Sequence, residues 1–249
     1  MEERITSRRN PLVQQVRRLL SSRRERERAG LFVSDGTKLL QEAVRYCPGL
    51  NTVFLTDEVR VEVPEGCRVI RVSREVMEAI SPMDTPQGAV FLCRLPPRQA
   101  FRPEKGMLLL DGIQDPGNLG TILRTADAWN VPVALLEGCA DPFSHKVVRA
   151  SMGAVFRTPV TVTDWNTAKE ACAAAGIEVA VTALNDRAKD IRKADVGAMA
   201  VVIGSEGQGV RREILESAGH CLIIPMNAHC ESLNAAIAAT AVMWQMGKI

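Results

Sequence analysis

Short β-branched apolar runs alternate along the chain with stretches in which apolar residues recur every three to four positions. The first stretch, Ile5 to Ser21, carries Leu12, Val13, Val16, Leu19 and Leu20 on one stripe and predicts a helix with a basic back, with Thr6, Ser7 and Asn10-Pro11 as starting signals. Strands are predicted over Leu31–Val33, Thr52–Leu55, Arg68–Val72 and Gly88–Leu95, with helices over Thr37–Tyr46 and from the Ser73 cap to Ile80. Residues 1–95 thus read as a small α/β unit. Residues 96–106 contain Pro96, Pro97 and Pro103 and predict a surface linker, because proline cannot donate to a sheet ladder. From 107 to 249 the rhythm becomes strict: strands at Met107–Leu110, Val131–Leu136, Val160–Val162, Val179–Leu184, Ala200–Ile203 and Cys221–Ile224, with helical patterns in every gap. That alternation predicts a mostly parallel sheet covered on both faces, with ligands beyond the carboxyl ends of its strands.

Composition narrows the class without choosing a function. Of the 249 residues 46% are hydrophobic and 24% charged, which suits a globular protein, and the longest uncharged run, Ser232 to Gly247, is too short and Ala-rich for a bilayer span. A cytoplasmic protein with no membrane partner is expected. Seven cysteines, none in a C-x-x-C pair, predict reduced thiols rather than a disulfide framework. Charge changes the picture more. The first thirty residues hold nine arginines and four glutamates, a net +5, so against +2 for the whole chain the remainder carries −3. Arginine forks pair with phosphate and stack on bases, so RNA is the expected partner; the plainer alternative is the solvated face of a helix.

Three strand-to-helix junctions carry the candidate chemistry. The first, Asp111 to Ala126, contains the turn Asp115-Pro116-Gly117-Asn118 and places Arg124 nearly two turns after Asn118, expected on broadly the same side of the helix. The second, Ile203-Gly204-Ser205-Glu206-Gly207-Gln208-Gly209, feeds a Gly-rich loop. It lacks both G-x-G-x-x-G and a P-loop lysine, and Glu206 puts a carboxylate where a pyrophosphate would sit, which disfavours a nucleotide-dependent dehydrogenase and favours a cationic ligand such as a sulfonium. The third, Ile224-Pro225-Met226 to Glu231-Ser232-Leu233-Asn234, opens a helix for which Ser232 is the expected N-cap. His145, His220 and the His229-Cys230 pair have no companions at ligand spacing, so no metal is expected.

Together and in this order, these stretches resemble the signature motifs of the SpoU (TrmH) family of RNA ribose 2'-O-methyltransferases, in the SPOUT superfamily. Ser151-Met152-Gly153-Ala154-Val155-Phe156-Arg157 is similar to a further family stretch, and Phe32 to Leu39 with Pro86-Gln87-Gly88 resembles the substrate-binding domain of many members. Asn227-Ala228-His229-Cys230 departs from the often Gly-rich family loop. The resemblance implies a knotted SPOUT-type parallel-sheet catalytic domain with a C-terminal trefoil knot, preceded by a ribosomal-protein-like RNA-binding domain, and a homodimer with the active site near its interface. It implies catalytic positions at Asn118, Arg124, Glu206, Ser232 and Asn234. S-adenosylmethionine is expected against Thr182, Ala183 and Leu184; Gly204, Ser205, Glu206 and Gly207; Ile224, Pro225 and Met226; and Ser232, Leu233 and Asn234. RNA contacts are expected from Arg8, Arg9, Arg17, Arg18, Arg23 and Arg24, with Lys38 and Arg149.

The reaction so implied is 2'-O-methylation of a ribose in structured RNA, expected to be 23S ribosomal RNA. The alternatives are transfer RNA as substrate, or a non-catalytic RNA-binding protein on the same fold. A guanidinium stays protonated at ordinary pH, so Arg124 is expected to stabilise the developing alkoxide and contact a phosphate able to take the proton, rather than act as a base itself.

Overall fold

The computed structural model describes residues 3–185, 187–227, 229–230 and 232–247. The chain opens in a strand, β1 (Glu3–Ile5), where the helix was expected to begin. Ile5 is buried by parallel pairing with Val72, a long-range contact that overrides the local helical pattern. The helix α1 (Pro11–Ser21) then starts where Asn10 accepts from the Leu12 N–H and Pro11 occupies the first turn. A second helix, α2 (Arg23–Ala29), is capped by Ser22 and closed by Gly30 at φ 64°, the left-handed conformation that glycine adopts without strain.

The first sheet follows with β2 (Leu31–Asp35), α3 (Thr37–Tyr46), β3 (Leu50–Leu55), β4 (Arg68–Val72), α4 (Arg74–Ile80) and β5 (Ala89–Arg94), in the order β1-β4-β3-β5-β2. Val13, Val16 and Leu19 of α1 pack on Val33, Phe54, Ile70 and Val90 of the sheet, so the predicted apolar stripe is the buried one.

The next elements are β6 (Met107–Leu110), α5 (Pro116–Ala128) and β7 (Val133–Leu135). They open the second unit, Arg98–Pro142 with Thr158–Ile249; the intervening Phe143–Arg157 belongs with Met1–Pro97 in the first. In that segment α6 (His145–Ala150) lies against β2, and Phe143 and Phe156 pack on Phe32 at 5.2 and 6.3 Å between ring centroids. The alternation of strand and helix patterns kept these residues within 107–249. Periodicity identifies a buried face, not what buries it.

The second unit ends with β8 (Thr161–Val162), α7 (Trp165–Ala174), β9 (Val179–Thr182), β10 (Lys189–Asp190), β11 (Ala200–Ile203), α8 (Arg212–Ser217), β12 (His220–Ile223) and α9 (Ala235–Met246). Its sheet has the order β10-β12-β9-β11-β6-β7-β8, and every pairing is parallel. Leu108, Leu109 and Leu110 of β6 are fully buried, each contributing about 2 kcal/mol of apolar burial.

One buried group weakens the first unit. Asp35 is 5% exposed, and its Oδ1 has no hydrogen-bond partner among the described residues. Burial raises its pKa, an effect partly offset by the Arg149 guanidinium. A carboxyl raised in this way favours the native state fully only below its unfolded pKa of about 3.9, and that contribution is lost as pH rises through the folded value. Asp35→Asn is therefore expected to stabilise the protein by about 1 kcal/mol near neutral pH and to lose that advantage below about pH 3.9. Thermal unfolding at the two pH values checks it; a lower melting temperature at neutral pH would show that the carboxylate is needed.

Candidate functional site

The candidate residues gather beyond the carboxyl ends of β6, β9, β11 and β12, where an all-parallel sheet leaves its loops free. After β11 the chain turns tightly: Ser205 and Gly209 exchange backbone hydrogen bonds at 3.2 and 2.9 Å, and Gly209 has φ 66°. A Cβ on Gly204 would lie 2.1 Å from the Gly209 carbonyl carbon. The loop thus folds back onto Gly204 and presents Glu206 at its tip.

Glu206 joins the three junctions. Its Oε1 accepts from Asn118 Nδ2 at 2.8 Å, from the Ala235 N–H at 3.0 Å and from Asn234 Nδ2. Asn234 Nδ2 also donates to Asn118 Oδ1 at 2.9 Å, while Asn234 Oδ1 accepts from the Ala236 and Ile237 N–H groups. Accepting at the first N–H of α9 puts a carboxylate at the positive end of that helix. One expectation changes here: Asn234, not Ser232, caps α9. Asp115, whose Oδ1 accepts from the Asn118 N–H at 2.7 Å, caps α5 and leaves the Asn118 amide for Glu206. Glu231 and Ala228 lie outside the described residues.

A cavity of about 350 Å³ opens behind this cluster. Of the expected cofactor positions, Thr182, Ala183, Leu184, Gly204, Ser205, Glu206, Ile224, Met226, Ser232 and Leu233 line it. Gly207 lines a neighbouring cavity instead, Pro225 lines neither, and Asn234 reaches the site through its bonds to Glu206 and Asn118. Sequence reading missed apolar wall residues including Ile203, Val210, Leu215, Leu222 and Ala238. Strand ends and helix faces give these no signal beyond ordinary hydrophobicity.

The neighbouring cavity, about 530 Å³, shares the Ser205–Gly209 loop as a wall. Asp111, 1% exposed, accepts from Arg211 N and Nε at 2.8 and 2.7 Å, and Glu137 accepts from Arg211 Nη2 at 2.7 Å. Cys139 donates to the Leu110 carbonyl at 3.1 Å; burial pushes its thiol up to about 11, so it is no nucleophile at neutral pH. Among the described residues no group of three or more His, Cys, Asp or Glu side chains could hold a metal ion, and no helix is long and apolar enough to cross a membrane.

Arg124 does not join the cluster. It is exposed, lines neither cavity and has no hydrogen-bond or ion-pair partner among the described residues. Six steps of about 100° leave it roughly 120° around α5 from Asn118, so the expectation of a shared side fails on helix geometry. Of the predicted RNA contacts, all eight are exposed and lie in the first unit. Arg18 and Arg23 pair with Glu25 and Glu27, Arg8 donates to the Glu75 carbonyl, and Arg149 lies against the Met83 thioether. Arg9, Arg17, Arg24 and Lys38 have no such partner among the described residues. Arg26 is buried and donates to the Leu19 carbonyl, so part of the basic leader is structural.

Residues 105–244 match the SpoU rRNA Methylase family, and residues 10–90 match the MRM3-like substrate binding domain. The chain belongs to the SpoU methylase family. Over 91% of its length it is 32% identical to the 23S rRNA (guanosine(2553)-2'-O)-methyltransferase RlmP of Bacillus subtilis, covering 92% of that protein. The AdoMet-bound rRNA methyltransferase from Sinorhizobium meliloti superposes with a TM-score of 0.85 at 30% identity, covering 98% of this chain and 97% of that one. AviRb from Streptomyces viridochromogenes, also solved with AdoMet, has a TM-score of 0.82 at 25% identity, with 95% and 97% coverage.

This SpoU methylase is an RNA methyltransferase that uses S-adenosylmethionine, and the geometry suits that cofactor. The cavity falls within the usual range for small ligands, roughly 300 to 1,000 Å³. Gly204 lets the loop that forms one wall of the cavity lie directly against β11, and the Glu206 carboxylate in the lining favours a cation over a pyrophosphate.

Proposed function

We propose that the protein methylates a ribose 2'-hydroxyl of 23S ribosomal RNA as a cytoplasmic homodimer whose C-terminal half is knotted. The observation that carries this reading is the closed Asn118–Glu206–Asn234 cluster at the mouth of the 350 Å³ cavity. It is supported by similarity across both units to a ribosomal RNA 2'-O-methyltransferase.

S-adenosylmethionine, when bound, supplies an electrophilic methyl on a sulfonium that departs neutral, so no metal is required. Thr182, Leu184, Gly204, Ile224, Met226 and Leu233 would hold it. The chain's own task is to align the hydroxyl and stabilise charge on its oxygen, and alignment alone is worth several kcal/mol. Asn118 and Asn234 fix the Glu206 carboxylate. Arg124, with no partner among the described residues, is available to an RNA phosphate and so to aligning the hydroxyl. The dimer is supported by an apolar face on α9, where Trp244 and Ile237 are 66% and 56% exposed and the Trp244 ring packs tilted against Trp129 at 5.7 Å between centroids.

The test is incubation with methyl-labelled S-adenosylmethionine and unmodified 23S or transfer RNA, followed by digestion to nucleosides. Label in 2'-O-methylribose from 23S RNA is the expected result. Label only in transfer RNA would reassign the substrate, and bound RNA without label would leave a non-catalytic binder.

A further inference from the structure

Two cavities meet at one carboxylate. Glu206 lines both the 350 Å³ cavity assigned to the cofactor and the 530 Å³ cavity beside it. We propose that the second cavity receives the target nucleoside and that Glu206 Oε2 accepts the proton of its 2'-hydroxyl, a role that rests on the methyl-transfer reading above.

The selection is by elimination among the carboxylates of the second cavity: Asp111, Asp115, Glu137 and Glu206. Both oxygens of Asp111 are taken by Arg211, whose guanidinium also holds Glu137. Asp115 caps α5 and does not line the cofactor cavity. Only Glu206 both borders the two cavities and keeps an oxygen in reserve. Three N–H donors converge on Oε1, and Oε2 has no partner among the described residues. With four carboxylates against Arg211, the cavity disfavours phosphate and suits the hydroxyls and N–H edges of a nucleoside, leaving the RNA backbone outside.

The three donors hold the Glu206 carboxylate in place, and a carboxylate suffices as the base. As the new O–C bond forms and the S–C pair stays on sulfur, the 2'-oxygen becomes oxonium-like and strongly acidic. Its proton passes to Oε2 and from there to solvent, leaving a neutral ether and a neutral thioether. Transfer late in the step asks of Glu206 only a carboxylate oxygen free to accept, which Oε2 supplies.

Glu206→Gln tests this, because the amide oxygen can keep the three Oε1 bonds while NH₂ replaces Oε2. Single-turnover transfer at saturating S-adenosylmethionine is expected to fall about 100-fold, with calorimetric affinity for RNA within about twofold of wild type. Activity within a few-fold of wild type under saturating cofactor would overturn the role. The wild-type pH profile is an independent check should the variant not fold. The rate should level off once a carboxylate has ionised, whereas a unit-slope rise continuing through alkaline pH would make hydroxide or another group the acceptor. Wild type without transfer to any RNA would instead defeat the methyl-transfer reading.

Discussion

Replacing Arg124 by alanine is expected to lower methyl transfer to RNA by about 100- to 1,000-fold while leaving cofactor affinity within about twofold. Neither cavity is lined by Arg124, and no described residue bonds to it, so its removal has nothing to disturb in the fold. A loss of rate would then report on RNA and the transition state alone. Two further readings separate its roles. If the fork holds a phosphate, the salt dependence of RNA binding should become shallower by about one unit of slope, and Arg124→Lys should restore binding better than rate. If Arg124 serves the site of the partner subunit, a hybrid dimer of Arg124→Ala with a variant unable to bind cofactor should regain transfer that neither parent shows. Unchanged activity in Arg124→Ala would remove it from the mechanism.

What could be read from the sequence divides along a physical line. Ser73 and the helix to Ile80 were legible because cap and apolar spacing are local, as was the Gly-rich loop after β11. The Ile5 strand was not legible, since its pairing partner lies 67 positions away. Ser232 and Asn234 are equally good caps by residue type; Asn234 takes the role in a structure that also bonds it to Asn118, 116 positions distant. Arg26 looked like its solvated neighbours until the fold closed over it. The motifs named Asn118, Glu206 and Asn234 separately, but only three-dimensional placement shows their amides and carboxylate closing on one another.

The loop that carries Glu206 also supplies the largest expected structural effect. Gly204→Ala would place a Cβ 2.1 Å from Gly209 C, 2.2 Å from Val210 N and 2.4 Å from Gly209 O, all backbone atoms. Neither side has room to retreat. Gly204 follows β11, which is paired to β6 and β9, while Val210 is 8% exposed against the core and the Arg211 N–H is bonded to Asp111. The loop must therefore leave Gly204, breaking the Ser205–Gly209 bonds and carrying Glu206 away from Asn118 and Asn234. The expected cost is about 3 kcal/mol of stability, with cofactor affinity reduced more than about 100-fold. Gly207→Ala is the matched control: nothing lies within 4 Å of its added Cβ, so melting temperature and cofactor affinity should stay near wild type. Thermal unfolding and calorimetry on the two variants decide between close packing at one glycine and a general need for loop flexibility. Equal losses in both would favour flexibility, and a stable, cofactor-binding Gly204→Ala would mean that the loop does not rest on β11 as the structure has it.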